Sequence, residues 1–383
     1  MADDTKARLF HGTIIHSTSP ANLHILENAL LAISPPAPSS PCTQTSGQFL
    51  IPGFVDTHNH APQWPQRGAG QGMQILDWLD EITFPNEARF RDAAYAKRTY
   101  GRLVSGMLRQ GITTASYYSS LHGEGTRVLA DTCLKRGQRA LIGKCNMDRN
   151  SPDYYRDASA EESMQVTRDC ISHIRTLDPS GQLIRPSLGA LATQDPSLAI
   201  QTHFNEAQQE IDATLSLFPG FTNEADLYHS LGLLTPRSIL AHCTIMTPYE
   251  TQKLASLDCG VAHCPTANMT VGGGFMASPI RSFLSHGIKV GLGTDSGGGY
   301  SSSMLDSMRH SLIASYARDA VFPKATEDAA ALSLEEVFYL ATVGGARVVG
   351  FGDEIGNFEV GKEFDAMVVD LRDERGSECP TGR

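Results

Sequence analysis

Two histidines at the end of an apolar run, His58 and His60 in the segment FVDTHNH, have the spacing of paired metal ligands. Side chains two residues apart on a strand project from the same face, so both imidazoles would point the same way. Imidazole is a common ligand for zinc and iron. A pair this short also occurs by chance, and on its own it favours a strand end without any chemical role.

Three more residues of suitable chemistry stand where later strands are predicted to end. The fifth predicted strand ends in His203, the sixth contains His242 and the eighth ends in Asp295. The carboxyl ends of the strands in a parallel barrel form one rim, where active sites lie. Imidazoles with a carboxylate suit zinc or iron rather than magnesium or calcium. Together with the first two histidines, these residues predict a metal site on that rim.

Glu206 follows His203 by three residues, in THFNE. At the end of a strand this spacing would put a carboxylate beside the metal without making it a ligand, which suits a proton carrier. The alternative is a solvated glutamate at the start of the next helix.

Three polar residues could hydrogen-bond the predicted metal ligands and hold them in position. Asp56 has the same parity as the two histidines of the first strand and could orient one of them. His263 and Asn268 belong to the seventh predicted strand, where a supporting role and ordinary buried polar packing are equally compatible with the sequence.

Two apparent motifs are excluded. The glycine-rich segment 293–299 lacks the Gly-Lys-Ser/Thr ending of a phosphate-binding loop, and we interpret it as a tight turn that lets Asp295 reach the metal. The tripeptide HGE at 122–124 resembles the H-x-E of cytidine-type deaminases, but the P-C-x-x-C that those enzymes also need does not follow it.

The elements that would position these residues alternate between short apolar runs and helical patterns, which is typical of βα units on a parallel sheet. Helical periodicity is clear at 93–111 and 159–177. Eight predicted strands between residues 49 and 295 indicate an α/β fold with a (β/α)8 barrel, which has about 250 residues. The predicted strands are 49–58, 111–118, 139–148, 183–186, 198–204, 238–246, 260–268 and 289–295.

The fourth βα unit is abnormally short. The strand LIRP at 183–186 runs directly into SLGALATQD, and the next strand already begins at Leu198. An ordinary unit needs about 30 residues. Only a short strand, no loop on the catalytic face and a helix of about two turns fit into the space. The fourth strand unit is therefore predicted to be incomplete, with its strand stunted or absent.

The two ends of the chain predict a small β-domain beside the barrel. The Pro/Ser-rich stretch 34–47 is a connector, and 354–371 has the pattern of two strands around a Gly-Lys turn. The expected division is an abbreviated β-domain of residues 1–49 and 354–383, and a catalytic barrel of residues 50–353.

Composition and charge exclude several kinds of partner. The 383 residues are 41% hydrophobic and 19% charged, as in an ordinary globular protein. A net charge of −11 argues against nucleic acid or an anionic membrane as the partner. Eight cysteines without a C-x-x-C pair fit a reducing compartment. No apolar run could span a bilayer, and the N-terminus lacks the core of a signal peptide, so a cytoplasmic protein is expected.

From about residue 50 to residue 371 the sequence resembles the amidohydrolase superfamily and, within it, the guanine deaminase family. The first histidine motif and the aspartate strand indicate the superfamily, whereas TFPNEARF and GNFEVGKEFDA indicate the narrower family. The matching stretches are PGFVDTHNHAPQ, LDWLDEITFPNEARF, GITTASYY, GKCNMD, IQTHFNE, AHCPTAN, GLGTDSGGGYSSSMLD and EIGNFEVGKEFDA.

The resemblance implies a cofactor and a role for each matched residue. The cofactor would be one Zn²⁺ per chain rather than iron. The implied zinc ligands are His58, His60, His203 and Asp295. The implied substrate contacts are Gln63, His203, Glu206, His242 and Asp295, with Gln63 hydrogen-bonding the purine. The implied catalytic residues are Glu206, His242 and Asp295.

The implied reaction is the hydrolytic deamination of guanine to xanthine and ammonia by a zinc-activated hydroxide. Asp295 would accept a proton from the water while Glu206 protonates the ring nitrogen, and one of the two would then protonate the departing amino group. His242 would hold the hydroxide or the charge developing at the reacting carbon. The implied partners are guanine and water, with the chain as a homodimer and with neither nucleic acid nor membrane.

The chain departs from the family pattern in three places. The family's Pro-Arg-Phe motif on strand four, whose Arg and Phe bind guanine, has no counterpart after LIRP. The N-terminal β-domain is abbreviated, and the chain stops at LRDERGSECPTGR, where further strands are expected. These departures predict an alternative transcript or a misassembled gene model. They leave open a related aminohydrolase acting on another purine, a pterin or a triazine, or a catalytically impaired chain that only binds partners.

Overall fold

The computed structural model describes residues 8–33, 42–43, 47–187, 195–322 and 331–372. Its strands are β1 (Arg8–Ser19), β2 (Asn22–Ile33), β3 (Cys42–Thr43), β4 (Gln48–Pro52), β5 (Phe54–His60), β6 (Ile112–Tyr118), β7 (Arg139–Gly143), β8 (Ile184–Pro186), β9 (Ile200–Phe204), β10 (Ser238–His242), β11 (Gly260–His263), β12 (Lys289–Leu292) and β13 (Ala366–Asp370).

Helices lie between most of the strands. The α-helices are α1 (Ile75–Trp78), α2 (Phe84–Glu87), α3 (Ala93–Arg109), α4 (Gly123–Arg136), α5 (Ala160–Leu177), α6 (Gln208–Leu217), α7 (Glu224–Ser230), α8 (Pro248–Ser256), α9 (Pro265–Thr270), α10 (Ile280–Ser285), α11 (Met304–Val321), α12 (Leu334–Tyr339) and α13 (Gly345–Val348). Short 3-10 helices span Ala61–Gln66, Ala88–Arg91 and Asp153–Tyr155, and π-helical turns span Leu79–Thr83 and Leu340–Gly344.

The eight strands predicted for the barrel are all present, as β5 to β12. They form two four-stranded parallel sheets, β5-β6-β7-β8 and β9-β10-β11-β12. Between the sheets, Ser187 forms a single bridge to Ala199 at one seam, and Asp295 N donates to His58 O at 2.9 Å at the other. The mixed α/β fold is confirmed, and no continuous ladder closes the barrel within the described residues.

The two long helical patterns are confirmed as α3 and α5. Asp92 and Ser159 cap their N-termini by accepting hydrogen bonds from Ala94 N and Glu162 N. Such caps satisfy backbone donors that have no partner inside the helix. The residues that α3 buries recur at helical spacing: Ala96, Thr99, Tyr100, Leu103, Val104 and Met107.

The prediction of one strand over 49–58 is wrong, because the chain changes sheets at Gly53. Residues before Gly53 form β4 and pair with β1 and β13, whereas those after it form β5 and pair with β6. Gly53 passes so close to Thr113 that a side chain would collide with the Thr113 hydroxyl. An apolar run does not reveal such a crossing, because both strands are buried.

Several barrel strands end earlier than predicted. The predicted strand 260–268 stops at His263, because Pro265 begins α9 and proline suits the first turn of a helix. The predicted strand 238–246 stops at His242, where the backbone turns left-handed. The predicted strands 139–148 and 289–295 stop at Gly143 and Leu292.

The fourth barrel strand is present but has only three residues, Ile184–Pro186. It pairs with β7, and Arg185 anchors it by an ion pair to Glu354 at 2.6 Å and by stacking on the Phe351 ring at 4.0 Å. The predicted two-turn helix falls within 188–194, outside the described residues.

A third sheet joins the two ends of the chain in the order β13-β4-β1-β2, with β3 beside β1. Of the two strands predicted within 354–371, the described residues contain one, β13. The other prediction is wrong because side-chain bonds replace a ladder there: Lys362 Nζ donates to the carbonyls of Gly352 and Ile355. Gly356 and Gly361 also adopt positive φ, which turns the chain away from a strand.

Within the described part of the chain, none of the helices combines the length and apolar character that crossing a bilayer requires.

Gly291 in β12 is expected to be essential for the seam with β5. A methyl group there would lie 2.5 Å from Thr57 Cγ2 and 2.7 Å from the backbone Cα of Gly345. We predict that Gly291→Ala lowers the free energy of unfolding by about 1–3 kcal/mol, as overpacking does in other cores. Denaturant unfolding measures this, with Gly220→Ala as control because nothing lies near that position. Equal stability of the two variants would contradict the prediction.

Candidate active site

The sequence-predicted metal residues converge where β5, β9, β10 and β12 end. His60 Nε2 lies 3.2 Å from His203 Nε2, and the Asp295 Oδ1 atom lies 3.3 Å from His58 Nε2 and 3.6 Å from His60 Nε2. The three imidazoles offer ligand atoms within 4.8 Å of one another. His242 packs against the same group, with its ring centroid 5.2 Å from that of His203.

The protonation states of these residues suit a cation. Burial is the largest cause that lowers the pKa of His60 to about 3 and that holds the pKa values of His58 and His203 below the usual value. Burial alone would raise the pKa of Asp295, but the neighbouring histidines hold it well below its ordinary range. Neutral imidazoles with free lone pairs beside an ionised carboxylate are the donor set that zinc prefers.

His242 Nε2 is buried without a hydrogen-bond partner in the described part of the chain, and His58 Nε2 has only its 3.3 Å contact with Asp295 Oδ1. Buried polar atoms are nearly always paired, so these atoms point to a ligand at this centre. Two other groupings have ligand spacing, His58–His242–Cys264 and His203–Glu206–His242. Burial raises the pKa of the Cys264 thiol well above its usual value, which makes it a poor metal ligand.

Glu206 lies immediately beside this cluster, in the loop after β9. Its Oε1 is 3.6 Å from His242 Nε2, and both side chains are buried. Burial is the largest cause that raises the pKa of Glu206 above its usual value, which favours the protonated form of its carboxyl group. Sequence spacing alone left open a solvated surface glutamate, and the observed burial excludes that alternative.

The hydrogen bonds behind His242 fix its tautomer. Ser278 Oγ donates to His242 O at 2.8 Å and accepts from Asn268 Nδ2 at 3.1 Å. Asn268 Oδ1 therefore faces His242 Nδ1, at 2.8 Å, and that nitrogen carries the proton. His242 Nε2 is left with a lone pair towards Glu206. Asn268 thus has the supporting position that the sequence left open.

His263 lines a cavity of about 260 Å³ beside α8, α10 and α11. Burial lowers its pKa to about 3, so it is a neutral buried histidine, the other alternative left open by the sequence.

The position of Asp56 in the sequence suggested that it orients an imidazole ring. In the structure its carboxylate bonds other groups instead. It accepts hydrogen bonds from Thr294 N at 2.9 Å, Thr294 Oγ1 at 2.6 Å, Asn59 Nδ2 at 3.0 Å and the His58 backbone N at 3.3 Å. These bonds tie the first barrel strand to the residue before Asp295. Asp56 therefore sets the distance between the strand ends rather than the orientation of one ring.

Backbone strain is concentrated at the same strand ends. His242, Cys243 and Asp295 adopt positive φ values of 74°, 47° and 43°. Non-glycine residues avoid this region at a cost of about 1–3 kcal/mol each, and such strain clusters at functional sites. The glycines after Asp295 form the predicted tight turn, because Gly299 N donates to Asp295 O at 2.7 Å.

Gln63 lies near the cluster in the 3-10 helix Ala61–Gln66 and is buried. Its Nε2 donates to Glu87 Oε1 at 2.8 Å, and the Tyr155 hydroxyl donates to the other oxygen of Glu87. Burial raises the pKa of Glu87 to about 7, against the effect of these two hydrogen bonds. Sequence reasoning missed Glu87 and Tyr155, since no spacing connects either residue with Gln63.

Tyr118 was also missed. Its ring stacks on His60 at a centroid distance of 4.8 Å and meets the edge of His58 at 5.1 Å. A signal was available, because Tyr118 is the last residue of a predicted strand and therefore belongs to the same rim as the predicted ligands.

Comparisons with known proteins show the family of this chain. The model of the amidohydrolase family matches residues 49–380. The Schizosaccharomyces pombe protein named "Probable guanine deaminase" is 42% identical over 348 residues, which cover 86% of this chain and 64% of that protein. The guanine deaminase of Dictyostelium discoideum is 36% identical over 408 aligned positions, covering 95% of this chain and 88% of its own length.

A solved structure has the same fold. The crystal structure of a guanine deaminase from C. acetobutylicum, with guanine bound in the active site, superimposes with a TM-score of 0.86 at 29% identity. The match covers 95% of this chain and 91% of that one. The chain spans less than two thirds of the S. pombe relative but most of the other two proteins.

Proposed function

This chain belongs to the amidohydrolase family and, within it, to the guanine deaminases, and on that premise we propose that it hydrolyses guanine to xanthine and ammonia. The observation that carries the proposal is the convergence of three neutral imidazoles and an ionised carboxylate beside a buried, protonatable glutamate. A metal-binding centre with an adjacent proton carrier is what the hydrolysis of an amino-substituted ring requires.

We propose that one zinc ion is held by His58, His60, His203 and Asp295. The short distances among their ligand atoms support this assignment. When bound, the metal would supply a water nucleophile activated at neutral pH. Zinc is proposed over iron because the donor set is the usual one for zinc and because the family resemblance implies it.

Two carboxyl groups divide the acid and base work. Asp295, which is ionised beside the histidines, accepts the proton released by the attacking water, as the family resemblance implies. Glu206, whose pKa is raised, donates a proton to the ring nitrogen next to C2. The new C–O bond forms at C2, the C–N bond to the amino group breaks, and that group leaves as ammonia with the proton from Asp295. The hydroxyl group on C2 then gives its proton to Glu206 as the carbonyl of xanthine forms.

His242 and Gln63 would complete the substrate site. The unprotonated Nε2 of His242 faces Glu206, so it can accept a hydrogen bond from the attacking water and hold it near C2. Gln63 would hydrogen-bond an edge of the purine, as the resemblance implies. His203, Glu206 and Asp295 would contact the substrate at the reacting carbon.

The incomplete fourth unit stays a prediction. The three-residue β8 supports it, as does the alignment with the Dictyostelium relative, which runs over more positions than this chain has residues. Without the family's Arg-Phe pair, guanine must be held by other residues or less tightly. The division into a β-domain of residues 1–49 and 354–383 and a barrel of 50–353, the homodimer and the cytoplasmic location are likewise proposals.

A substrate panel separates this function from its rivals. The purified, zinc-loaded chain should release ammonia from guanine at least about 100-fold faster than from adenine, a pterin or an amino-triazine, the range of discrimination that unpaired buried polar groups can produce. If the chain released ammonia faster from one of the other rings, that compound and not guanine would be its substrate. Bound zinc without turnover of any ring would support the binding-protein alternative.

A further inference from the structure

We propose that Glu87 and Tyr155 fix the side-chain amide of Gln63 so that its oxygen, and not its NH2 group, faces the substrate. The pocket would then select purines that donate a hydrogen bond at that point. This inference rests on the proposed function, because it requires that Gln63 faces the bound purine. Glu87 and Tyr155 act as positioning residues, since neither needs to touch the substrate.

The first support is the direction of each hydrogen bond around Glu87. Leu121 N donates to the Tyr155 hydroxyl oxygen at 3.2 Å, which leaves the hydroxyl hydrogen to donate to Glu87. The second carboxylate oxygen of Glu87 accepts from Gln63 Nε2 at 2.8 Å. Above its pKa of about 7 the Glu87 carboxylate only accepts, so it holds the NH2 group of Gln63 towards itself.

The second support is the state of the Gln63 oxygen. Gln63 Oε1 is buried and has no partner among the described residues. It lies against the backbone of Gly297, where any side chain would collide with it. A methyl group on the next residue, Gly298, would lie 2.8 Å from Asp295 Oδ2. The unpaired acceptor is therefore at the turn that carries Asp295, where a substrate would pair with it.

Burial gives the arrangement its rigidity. Gln63, Glu87 and Tyr155 are 3%, 4% and 1% exposed, so water cannot substitute for a lost partner. Tyr155 also packs on Phe84, with ring centroids 5.6 Å apart, beside the start of the helix that carries Glu87. Guanine offers matching donors at N1–H and at its amino group.

The variant Glu87→Gln tests the inference because it changes the hydrogen count without changing size. Its oxygen would accept from Tyr155 and its NH2 would face Gln63, so Gln63 must rotate and present NH2 to the substrate. The opposite rotamer would place two donors together at Tyr155, which is unfavourable in a buried site. We expect kcat/KM for guanine to fall about 10-fold or more, the usual scale for a mismatched buried hydrogen bond.

The exchange variant Gln63→Glu/Glu87→Gln supplies the decisive comparison. The new amide at position 87 would accept from Tyr155 and donate to the new carboxylate at position 63, whose second oxygen would face the substrate as an acceptor. Every hydrogen bond and the total charge are kept. We expect kcat/KM to return to within about three-fold of the unmodified chain, since a mispaired hydrogen bond is what the exchange repairs.

Glu336→Gln is the matched control, because Glu336 is a buried carboxylate remote from Gln63 that pairs with Arg281. It should change stability and leave kcat/KM alone. Unchanged kcat/KM in folded Glu87→Gln, or no recovery in the zinc-loaded exchange variant, would overturn the inference. If Glu87→Gln does not fold, the kinetics of the exchange variant alone test the inference. Failure of the exchange variant to fold also counts against it. Absence of turnover in the unmodified chain would instead reject the proposed function.

Discussion

Replacing His203 with alanine should remove bound zinc and guanine hydrolysis together. His203 Nε2 is the atom that faces His60 Nε2 at 3.2 Å, so its loss opens one side of the ligand group. Altering residues that only support metal ligands already weakens affinity by about 10- to 100-fold, so losing a ligand should weaken it by more than about 100-fold. Zinc content after gel filtration and ammonia release from guanine measure the two effects on one preparation.

His229→Ala is the matched control for this variant, because His229 is an exposed histidine near the end of α7. It should keep both zinc and turnover. If the His203→Ala protein retained one zinc per chain and its turnover, the proposed ligand set would be wrong.

Replacing Glu206 with glutamine should separate catalysis from metal binding. Glutamine keeps the size of the side chain but cannot release and regain a proton, whereas burial raises the pKa of Glu206 and favours its protonated form. General acid–base groups contribute about 10²- to 10⁴-fold, so kcat should fall by that factor while zinc content stays at one per chain. Steady-state kinetics with metal analysis of the same sample measures both.

Glu124→Gln serves as the control for the charge change, because Glu124 is exposed on α4 and pairs only with its neighbour Arg127 among the described residues. Its kinetics should match those of the unmodified chain. Near-normal kcat in Glu206→Gln would show that another group carries the proton.

The ligand cluster could be predicted because strand ends obey a simple rule. In a parallel barrel every strand places its carboxyl end on one rim, so histidines and an aspartate at those ends must meet. His58, His60, His203 and Asp295 follow this rule to within hydrogen-bonding distances. The family resemblance then supplied the individual roles, which spacing alone could not distinguish.

The contacts that the sequence missed join segments with no common spacing. Glu87 meets Gln63 and Tyr155 from different loops, and Asp56 bonds Thr294 across the seam rather than a ring on its own strand. Periodicity indicates which face of a helix or strand is buried, but it does not indicate which polar group from a distant segment contacts that face. Tertiary packing decides such pairs.

The wrong strand boundaries have a similar origin. Gly53 divides one apolar run between two sheets, and Lys362 replaces a predicted strand by bonding two carbonyls. The crossing at Gly53 depends on strands that are far apart in the sequence, whereas Lys362 reaches carbonyls ten and seven residues away. Apolar residues on either side of Gly53 look alike because both strands are buried.

Xanthine formation from guanine by the purified chain, before and after zinc removal, tests the proposed function most directly. We expect the zinc-loaded chain to form one xanthine for each ammonia released, the stripped chain to be inactive, and added zinc to restore the rate. Equal xanthine formation by the stripped and loaded chains would contradict a metal-dependent site. A stably folded, zinc-loaded chain that leaves guanine unchanged would contradict the proposed reaction.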